Sequence, residues 1–296
     1  MITTHILSTT LLLACSPSKN IDTGTEQEET VETAPFSCPT GEEQPSLGNV
    51  QNSDITETSG IGQSKRNPEL LWLHNDSGDS AILYAVDTTG ASIGSIELDT
   101  PALDWEDMST VLFPNSPPYI YVGDIGDNAL ARAQISIHRI IEPENLDESP
   151  SFQTYMLSYP DGPHNAETLM VHPITGHVYI LTKDIEKTQI FRFHEEDETL
   201  EQVYQFSFPE LEMEGSPLVT GGDISPDGST LLLRTYTHVW ALDAKILDGE
   251  EIIESCSMPS APEEQGETIT FLNNEHYITI SEGENPTIHK FSYIQE

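Results

Sequence analysis

One layout recurs five times along this chain, and the repeat constrains the fold more than any other feature. Each copy has a short apolar segment, a turn rich in Pro, Gly or Asn, and two further segments typical of β-strands. The copies open at Ser59, Glu106, Glu167, Thr220 and Glu267. These openings lie about 45 to 61 residues apart, which is the range of propeller blades. Because no helical periodicity competes with this pattern, the sequence predicts an all-β protein built as a single β-propeller.

The two chain ends are predicted to share one blade. Outermost strands are predicted at 92–98, 153–159, 202–208 and 252–258, but the fifth copy ends without one. The segment 46–50 precedes the first copy, and its pairing beside 287–293 would close the ring without leaving an open edge. We count five blades. A sixth would have to lie between Glu106 and Glu167, where residues 142–151 have the composition of a Pro-bearing loop.

The charge balance limits the possible partners. The chain has 296 residues, with 50 Asp and Glu against 11 Lys and Arg, for a formal net charge of −39. Such a surface repels nucleic acid and anionic membranes, so no nucleic-acid partner is expected. Most of these carboxylates are interpreted as a solvated surface, and the protein is expected to be a monomer.

The N-terminal residues have the pattern of an export signal. Residues 6–14 form an apolar run that is too short to span a bilayer, and Leu12-Leu13-Ala14-Cys15 resembles a bacterial lipoprotein signal. This resemblance implies lipid attachment at Cys15. We therefore expect a signal at 1–15, a flexible acidic stalk at 16–45 and the propeller at 46–296. The expected location is the bacterial cell envelope, with membrane contact only through the lipid, and plain secretion is the alternative.

The remaining two cysteines have two interpretations. With Cys15 lipidated, Cys38 and Cys256 are an even pair in an oxidising compartment, which favours a disulfide. Cys38 precedes the first blade and Cys256 lies in the predicted outermost strand of the fourth. The alternative is that both are free.

Three glutamates at equivalent repeat positions suggest a metal site. Glu106, Glu167 and Glu267 each open an innermost strand, and the starts of these strands meet at one mouth of the central channel. Carboxylates facing one axis repel each other unless a cation or protons neutralise them. Hard oxygen ligands in a loose cage favour Ca²⁺, and Asp124, at the end of a second strand, would complete the set.

Other polar residues are expected at the same mouth. His74, Lys183 and Arg234 are candidate catalytic residues, because they end second strands of the repeats. The candidate ligand-binding residues are Asp76, Arg132, His164 and Glu282. Some of the aspartates also have a structural interpretation, since buried Asp in propeller blades often caps turns. Asp223 is assigned to that role, and for Asp124 both interpretations stay open.

Several longer motifs resemble a known group of proteins. They are Trp72-Leu73-His74-Asn75-Asp76-Ser77-Gly78, Asp104-Trp105-Glu106-Asp107, Gly123-Asp124-Ile125-Gly126-Asp127-Asn128, His164-Asn165-Ala166-Glu167 and Gln265-Gly266-Glu267. They resemble a family of uncharacterised bacterial secreted β-propellers, which is distantly similar to calcium-dependent propeller phytases and gluconolactonase-type lactonases. The resemblance implies a metal at the channel mouth, and fold alone does not assign a reaction.

Two functions follow as hypotheses. In the first, the propeller is a noncatalytic module that binds an anionic small molecule or a surface protein at a Ca²⁺-bearing mouth. In the second, it is a Ca²⁺-dependent hydrolase of phosphoesters or lactones, in which the ion activates water, Lys183 and Arg234 stabilise negative charge, and His74 transfers protons. The first is favoured, because no complete nucleophile–base unit is visible in the sequence.

Overall fold

A computed structural model describes residues 36–147, 149–211, 213–251 and 254–295. The expected signal, the lipidation site Cys15 and most of the expected stalk lie outside these residues. Among the residues described, no helix is long and apolar enough to cross a membrane. Within the described part of the chain, the first β-type pairing is an isolated antiparallel bridge between Thr40 and Ile294.

Twenty strands and one short 3₁₀-helix are found in this part of the chain. In chain order the strands are β1 Glu43–Asn49, β2 Thr58–Gln63, β3 Leu70–Asn75, β4 Ile82–Asp87, β5 Ser92–Glu97, β6 Trp105–Leu112, β7 Pro118–Asp124, β8 Ile135–Ile141, β9 Phe152–Leu157, β10 Ala166–Val171, β11 Val178–Thr182, β12 Thr188–Phe193, β13 Glu201–Phe206, β14 Val219–Ile224, β15 Thr230–Thr235, β16 Val239–Asp243, β17 Cys256–Met258, β18 Gly266–Asn273, β19 His276–Ser281 and β20 Thr287–Ser292. The 3₁₀-helix, Ala244–Asp248, lies between β16 and β17.

The strands form five antiparallel four-stranded sheets, which confirms the predicted five-bladed propeller. Four blades follow chain order: β2–β5, β6–β9, β10–β13 and β14–β17. The fifth has the order β18-β19-β20-β1, so both ends of the folded chain contribute to it. The pairing runs from Glu43 opposite Phe291 to Asn49 opposite Thr287, as predicted for the ring closure. The segment suspected of a sixth blade is a loop between β8 and β9.

Apolar side chains fill the spaces between adjacent blades. Trp72 of the first blade packs with Met108 and Ile120 of the second, and Tyr121 of the second packs in one cluster with Phe191 of the third. The second strand of each blade is covered on both faces, so it lacks the apolar–polar alternation of a half-exposed strand. A single blade could not bury both faces, and closure of the ring supplies the missing neighbours.

Two aspartates join the innermost strands of successive blades. Asp107 of β6 accepts a hydrogen bond from the backbone N–H of Leu169 on β10 at 3.0 Å. Asp223 of β14 accepts from the N–H of Phe271 on β18 at 2.8 Å and from Thr270 Oγ1 at 2.9 Å. The structural role predicted for Asp223 is therefore found, and Asp107 has the same role between an earlier pair of blades. These bonds hold the channel wall together, because each joins strands that belong to different sheets.

A disulfide between Cys38 and Cys256 fastens the start of the propeller to its wall. Their Cα atoms are 5.5 Å apart, and the bond spans 218 positions of sequence. The bond confirms the predicted pairing and joins the segment before β1 to β17, the outermost strand of the fourth blade. It indicates that the protein matures in an oxidising environment.

We expect the double substitution Cys38→Ser and Cys256→Ser to lower the free energy of unfolding by about 2 to 5 kcal/mol, because the unfolded chain gains the freedom of a long open loop. Urea denaturation of the two proteins measures the difference. Wild-type protein unfolded in reductant should match the double variant. Equal stability of the oxidised wild type and the variant would contradict a stabilising disulfide.

Candidate functional site

Each blade carries a β-bulge at the same end of its innermost strand. In every case the pairing with the second strand skips one residue, and the skipped residues are Ser59, Glu106, Glu167, Thr220 and Glu267. These are the five positions that the repeat aligned in sequence. A bulge leaves its extra residue outside the ladder and re-aims its side chain. The fold therefore presents five equivalent side chains at one end of the channel, and three of them are glutamates.

The three bulge glutamates lie at the same end of the channel, and each is almost completely buried. Glu106, Glu167 and Glu267 are 3 to 4% exposed. The pKa of Glu106 is raised well above its ordinary value by burial and then by the charge of Glu167, and the same causes raise the pKa of Glu267. Glu167 therefore acts electrostatically on both of the other two. Among the described residues, however, the three bulge glutamates do not form a group of oxygens close enough to share one ion, so the expected metal set of Glu106, Asp124, Glu167 and Glu267 stays a prediction.

A compact group of carboxylates lies on the side of the mouth formed by the first two blades. One oxygen from each of Asp76, Asp104 and Glu106 lies within 4.8 Å of the other two. Burial and then the charge of Asp76 raise the pKa of Asp104. Gly126 makes this approach possible, because a Cβ at that position would overlap the carboxylates of both Asp104 and Glu106. The donor set contains only carboxylate oxygens, which fits a hard divalent cation.

Glu167 is engaged by a lysine across the mouth. Lys183, just after β11, donates a hydrogen bond to Glu167 Oε1, and its Nζ lies 4.7 Å from the centre of the Tyr236 ring. Asn165 supports the same carboxylate, since its Nδ2 lies 3.5 Å from Glu167 Oε1 and its Oδ1 accepts from the N–H of Asp127 at 2.7 Å. Burial raises the pKa of Glu167 to about 7, although Lys183 opposes the shift.

Glu267 and Glu282 form the acidic wall on the fifth blade. The Gln265 amide donates to Glu267 Oε1 at 2.9 Å. The pKa of Glu282 is raised to about 7 by burial and then by the charges of Asp76 and Glu57. The acidic residues of the mouth therefore come from the first, second, third and fifth blades. The fourth blade contributes Tyr236.

Asp124 has the structural role rather than an open ligand position. Its carboxylate accepts from the N–H groups of Leu103 and Asp104 at 3.0 and 3.2 Å, and Arg132 pairs with it at 2.6 Å. Arg132 also donates to the carbonyl oxygen of Gly126 at 2.7 Å. Together these contacts fix the loop that brings Gly126 against the carboxylates. Of the two interpretations left open by the sequence, the geometry favours the cap.

His74, Arg234 and His164 are used within the protein framework. His74 is completely buried, edge-on to Trp105, and burial lowers its pKa to about 4, so it is neutral at pH 7. Arg234 is 2% exposed and is paired with the buried carboxylate of Glu263. His164 pairs with Asp161 at 2.8 Å and packs against Tyr159. Arg234 nevertheless lies within electrostatic reach of one bulge glutamate, because burial lowers its pKa and the charge of Glu267 opposes that shift.

The sequence analysis missed two members of the mouth. Asp104 was not assigned as a ligand, although it lies two residues before Glu106, and alternate residues of an extended segment share a face. Tyr236 follows β15. Its place at the mouth could not be predicted from the sequence, because a single tyrosine in a turn matches no motif. The other mouth residues, Asp76, Lys183 and Glu282, are brought together as expected.

The comparisons with known proteins concern the fold. No protein-family model and no curated protein matches the sequence. Among solved structures, the chain is similar to PQQ-bound aldose sugar dehydrogenase from Streptomyces coelicolor, with 10% identity and a TM-score of 0.52 over 88% of this chain and 99% of that one. A luciferin-regenerating enzyme is 11% identical, with a TM-score of 0.45 over 86% of this chain and 95% of that one. The Dos1 propeller is 10% identical, with a TM-score of 0.40 over 80% of this chain and 68% of that one.

The similarity to the aldose sugar dehydrogenase supports the fold alone, because the two chains are only 10% identical. The resemblance to a family of bacterial secreted propellers stays a prediction.

In the metal-free protein, we expect Glu167 and Glu282 to make the free energy of unfolding fall as pH rises from about 5 to 8, whereas His74, with its lowered pKa, acts in the opposite direction up to about pH 6.5. Glu167 and Glu282 have folded pKa values of about 7 against an ordinary 4.5, so in this range the folded state holds protons that the unfolded chain releases. Glu282→Gln should make the decline shallower, whereas Glu97→Gln, at an exposed position on β5, should leave it unchanged. Urea denaturation in EDTA at several pH values tests this. An equally steep decline in the wild type, Glu282→Gln and Glu97→Gln would contradict the raised pKa of Glu282.

Proposed function

We propose that this protein binds Ca²⁺ at the channel mouth and uses the ion to hold a ligand there. The observation that carries the proposal is the group formed by Asp76, Asp104 and Glu106, whose oxygens lie within 4.8 Å of one another. Two unit charges at that separation repel by about 3 to 4 kcal/mol at an effective dielectric constant near 20. A bound divalent cation would turn this repulsion into attraction. Raised pKa values at all three carboxylates are consistent with a site arranged for a cation.

Calcium is proposed over other ions on the chemistry of the donors. The site offers carboxylate oxygens and no thiolate or imidazole, which argues against Zn²⁺. The donors come from two blades and a loop, with no octahedral frame that would select Mg²⁺. Ca²⁺ accepts six to eight oxygens, so three carboxylates leave positions for water or for a ligand oxygen.

An anionic ligand would bind through the ion. Each basic residue suggested for direct recognition already has an acidic partner: Lys183 pairs with Glu167, Arg132 with Asp124 and Arg234 with Glu263. The proposed anionic small molecule or surface protein therefore contacts the vacant positions of the ion, with Lys183 next to it. If the chain is exported and tethered as its N-terminus suggests, the ligand is met outside the cytoplasm.

Hydrolysis of phosphoesters or lactones is the second candidate, and Glu167 favours it. A carboxylate with a pKa near 7 is suited to accept and return a proton at neutral pH. It lies beside the acidic group in which an ion would lower the pKa of bound water. His74 is too deeply buried to compete for this role.

We expect saturating Ca²⁺ to raise the melting temperature by about 5 to 10 °C over protein in EDTA, since binding at 100 times Kd adds about 2.7 kcal/mol. Glu106→Gln should abolish the shift while leaving the fold intact in EDTA, because the amide removes charge without changing shape. Glu97→Gln, on the exposed edge of the first blade, should keep the full shift. Differential scanning calorimetry measures all three. Wild-type curves that coincide in Ca²⁺ and EDTA would refute the proposed site.

The two candidate functions differ in turnover. We expect no Ca²⁺-dependent turnover of p-nitrophenyl phosphate, bis-p-nitrophenyl phosphate or glucono-δ-lactone if the protein only binds. Turnover that requires Ca²⁺ and falls at least about 100-fold in Glu167→Gln would establish the hydrolase instead, since proton transfer by a positioned residue contributes about 10²–10⁴. Glu97→Gln serves as the matched control in the same assay.

A further inference from the structure

A pair of histidines at the end of the third blade farthest from the mouth has no part in the function proposed above. The register of β11 and β12 pairs Val178 with Phe193, and this places His177 directly opposite His194. The other end of β11 pairs with the start of β10 at the mouth. Since β11 has 5 residues and each extended residue spans about 3.3 Å, the histidines lie about 17 Å along the strand from that end. They therefore form a separate place on the molecule.

The two imidazole rings are close enough to share one metal ion. Their ring centres are 6.4 Å apart, and nitrogens on facing edges come closer than the centres because they lie on the periphery of the rings. An ion with two nitrogen bonds of about 2.0 to 2.1 Å joins nitrogens that are up to about 4 Å apart. The His194 side chain is 38% exposed and His177 is half-buried, so neither ring is locked in the core and either can turn toward a shared ion.

Each ring has one nitrogen engaged and one nitrogen available. His194 Nε2 lies 2.7 Å from Glu201 Oε2, and because an ionised carboxylate only accepts hydrogen bonds, Nε2 is the nitrogen that carries the proton. His177 Nδ1 lies 3.4 Å from the Tyr179 hydroxyl. In the described part of the chain, no hydrogen bond to His194 Nδ1 or to His177 Nε2 is found. A metal-binding histidine commonly donates its second N–H to a carboxylate or another oxygen, as His194 does here.

The charges around the pair favour a cation. Glu201 of β13, Asp248 of the 3₁₀-helix and Arg192 of β12 all act electrostatically on His177. Arg192 is paired with Glu201 at 2.6 Å, so its charge is already balanced. The exposed residues Glu196–Asp197 follow β12 and add two more carboxylates. The local balance is therefore negative, which raises the local concentration of cations.

We infer that His177 and His194 together bind a divalent transition-metal ion of the class of Cu²⁺, Ni²⁺ and Zn²⁺. Imidazole is a ligand that suits these ions, whereas Ca²⁺ and Mg²⁺ select oxygen ligands. The described residues place no third imidazole or carboxylate within the same short reach, so water fills the remaining positions of the ion. Of the three ions, Cu²⁺ should bind most tightly, because affinity for nitrogen ligands rises to a maximum at copper.

Titration of the disulfide-bonded protein with Cu²⁺ tests this inference. Excess Ca²⁺ in the buffer competes for carboxylate oxygens but not for imidazole. Isothermal titration calorimetry should give a Kd below about 10 μM, and electron paramagnetic resonance should show coupling of the bound Cu²⁺ to imidazole nitrogen. His177→Gln and His194→Gln should each weaken the binding at least about tenfold and reduce the nitrogen coupling. Circular dichroism without Cu²⁺ establishes that both variants are folded.

His276→Gln is the matched control. His276 opens β19, at the position of the fifth blade that corresponds to His177, but it lies opposite Ser292 instead of a second histidine. This variant should bind Cu²⁺ as tightly as the wild type. The inference is overturned if the wild type does not bind Cu²⁺, if binding survives both His177→Gln and His194→Gln, or if His276→Gln weakens it equally. The result does not depend on whether Ca²⁺ stabilises the protein, so failure of the mouth proposal leaves this one standing.

Discussion

The repeated β-bulge is the constraint on which the site depends. In a regular ladder, residues at the start of an innermost strand would pair with the second strand, and their side chains would follow its alternation. The bulge releases one residue in every blade, at Ser59, Glu106, Glu167, Thr220 and Glu267. Ser59 Oγ and Thr220 Oγ1 use this freedom to donate to carbonyl oxygens of the next blade, those of Glu106 and Gly266. The hydroxyl-bearing bulges thus bind blades together, and the acidic bulges form the mouth.

This division of roles carries an energetic conflict that the rest of the fold offsets. Carboxylates that are nearly excluded from water raise one another's pKa and oppose the folded state as they ionise. The blade interfaces, the aspartates that bridge innermost strands and the disulfide stabilise the ring independently of the mouth. The ring therefore does not depend on the acidic mouth for its stability.

Much of the fold followed from the sequence because it rests on period and composition. The repeat located all five blades, and the missing outermost strand predicted the shared blade. The site was harder to predict from the sequence than the fold. The shared bulge position of Glu106, Glu167 and Glu267 followed from the repeat, but the pairing of Arg234 with Glu263 depends on a loop outside the repeat. Asp104 and Tyr236 lie in connections whose paths the repeat does not determine.

The shared fifth blade also determines when the protein can complete its fold. Strand β1 is the first of the described strands to be synthesised, and its partner β20 is the last of them. Four blades can form their own sheets in order, but the first strand remains an unpaired edge until residues near the C-terminus arrive. Such long-range pairing slows folding and prolongs exposure of that edge to aggregation. A chain truncated before Thr287 would lack β20 and could not close the ring. Only a chain that reaches β20 can therefore complete the propeller.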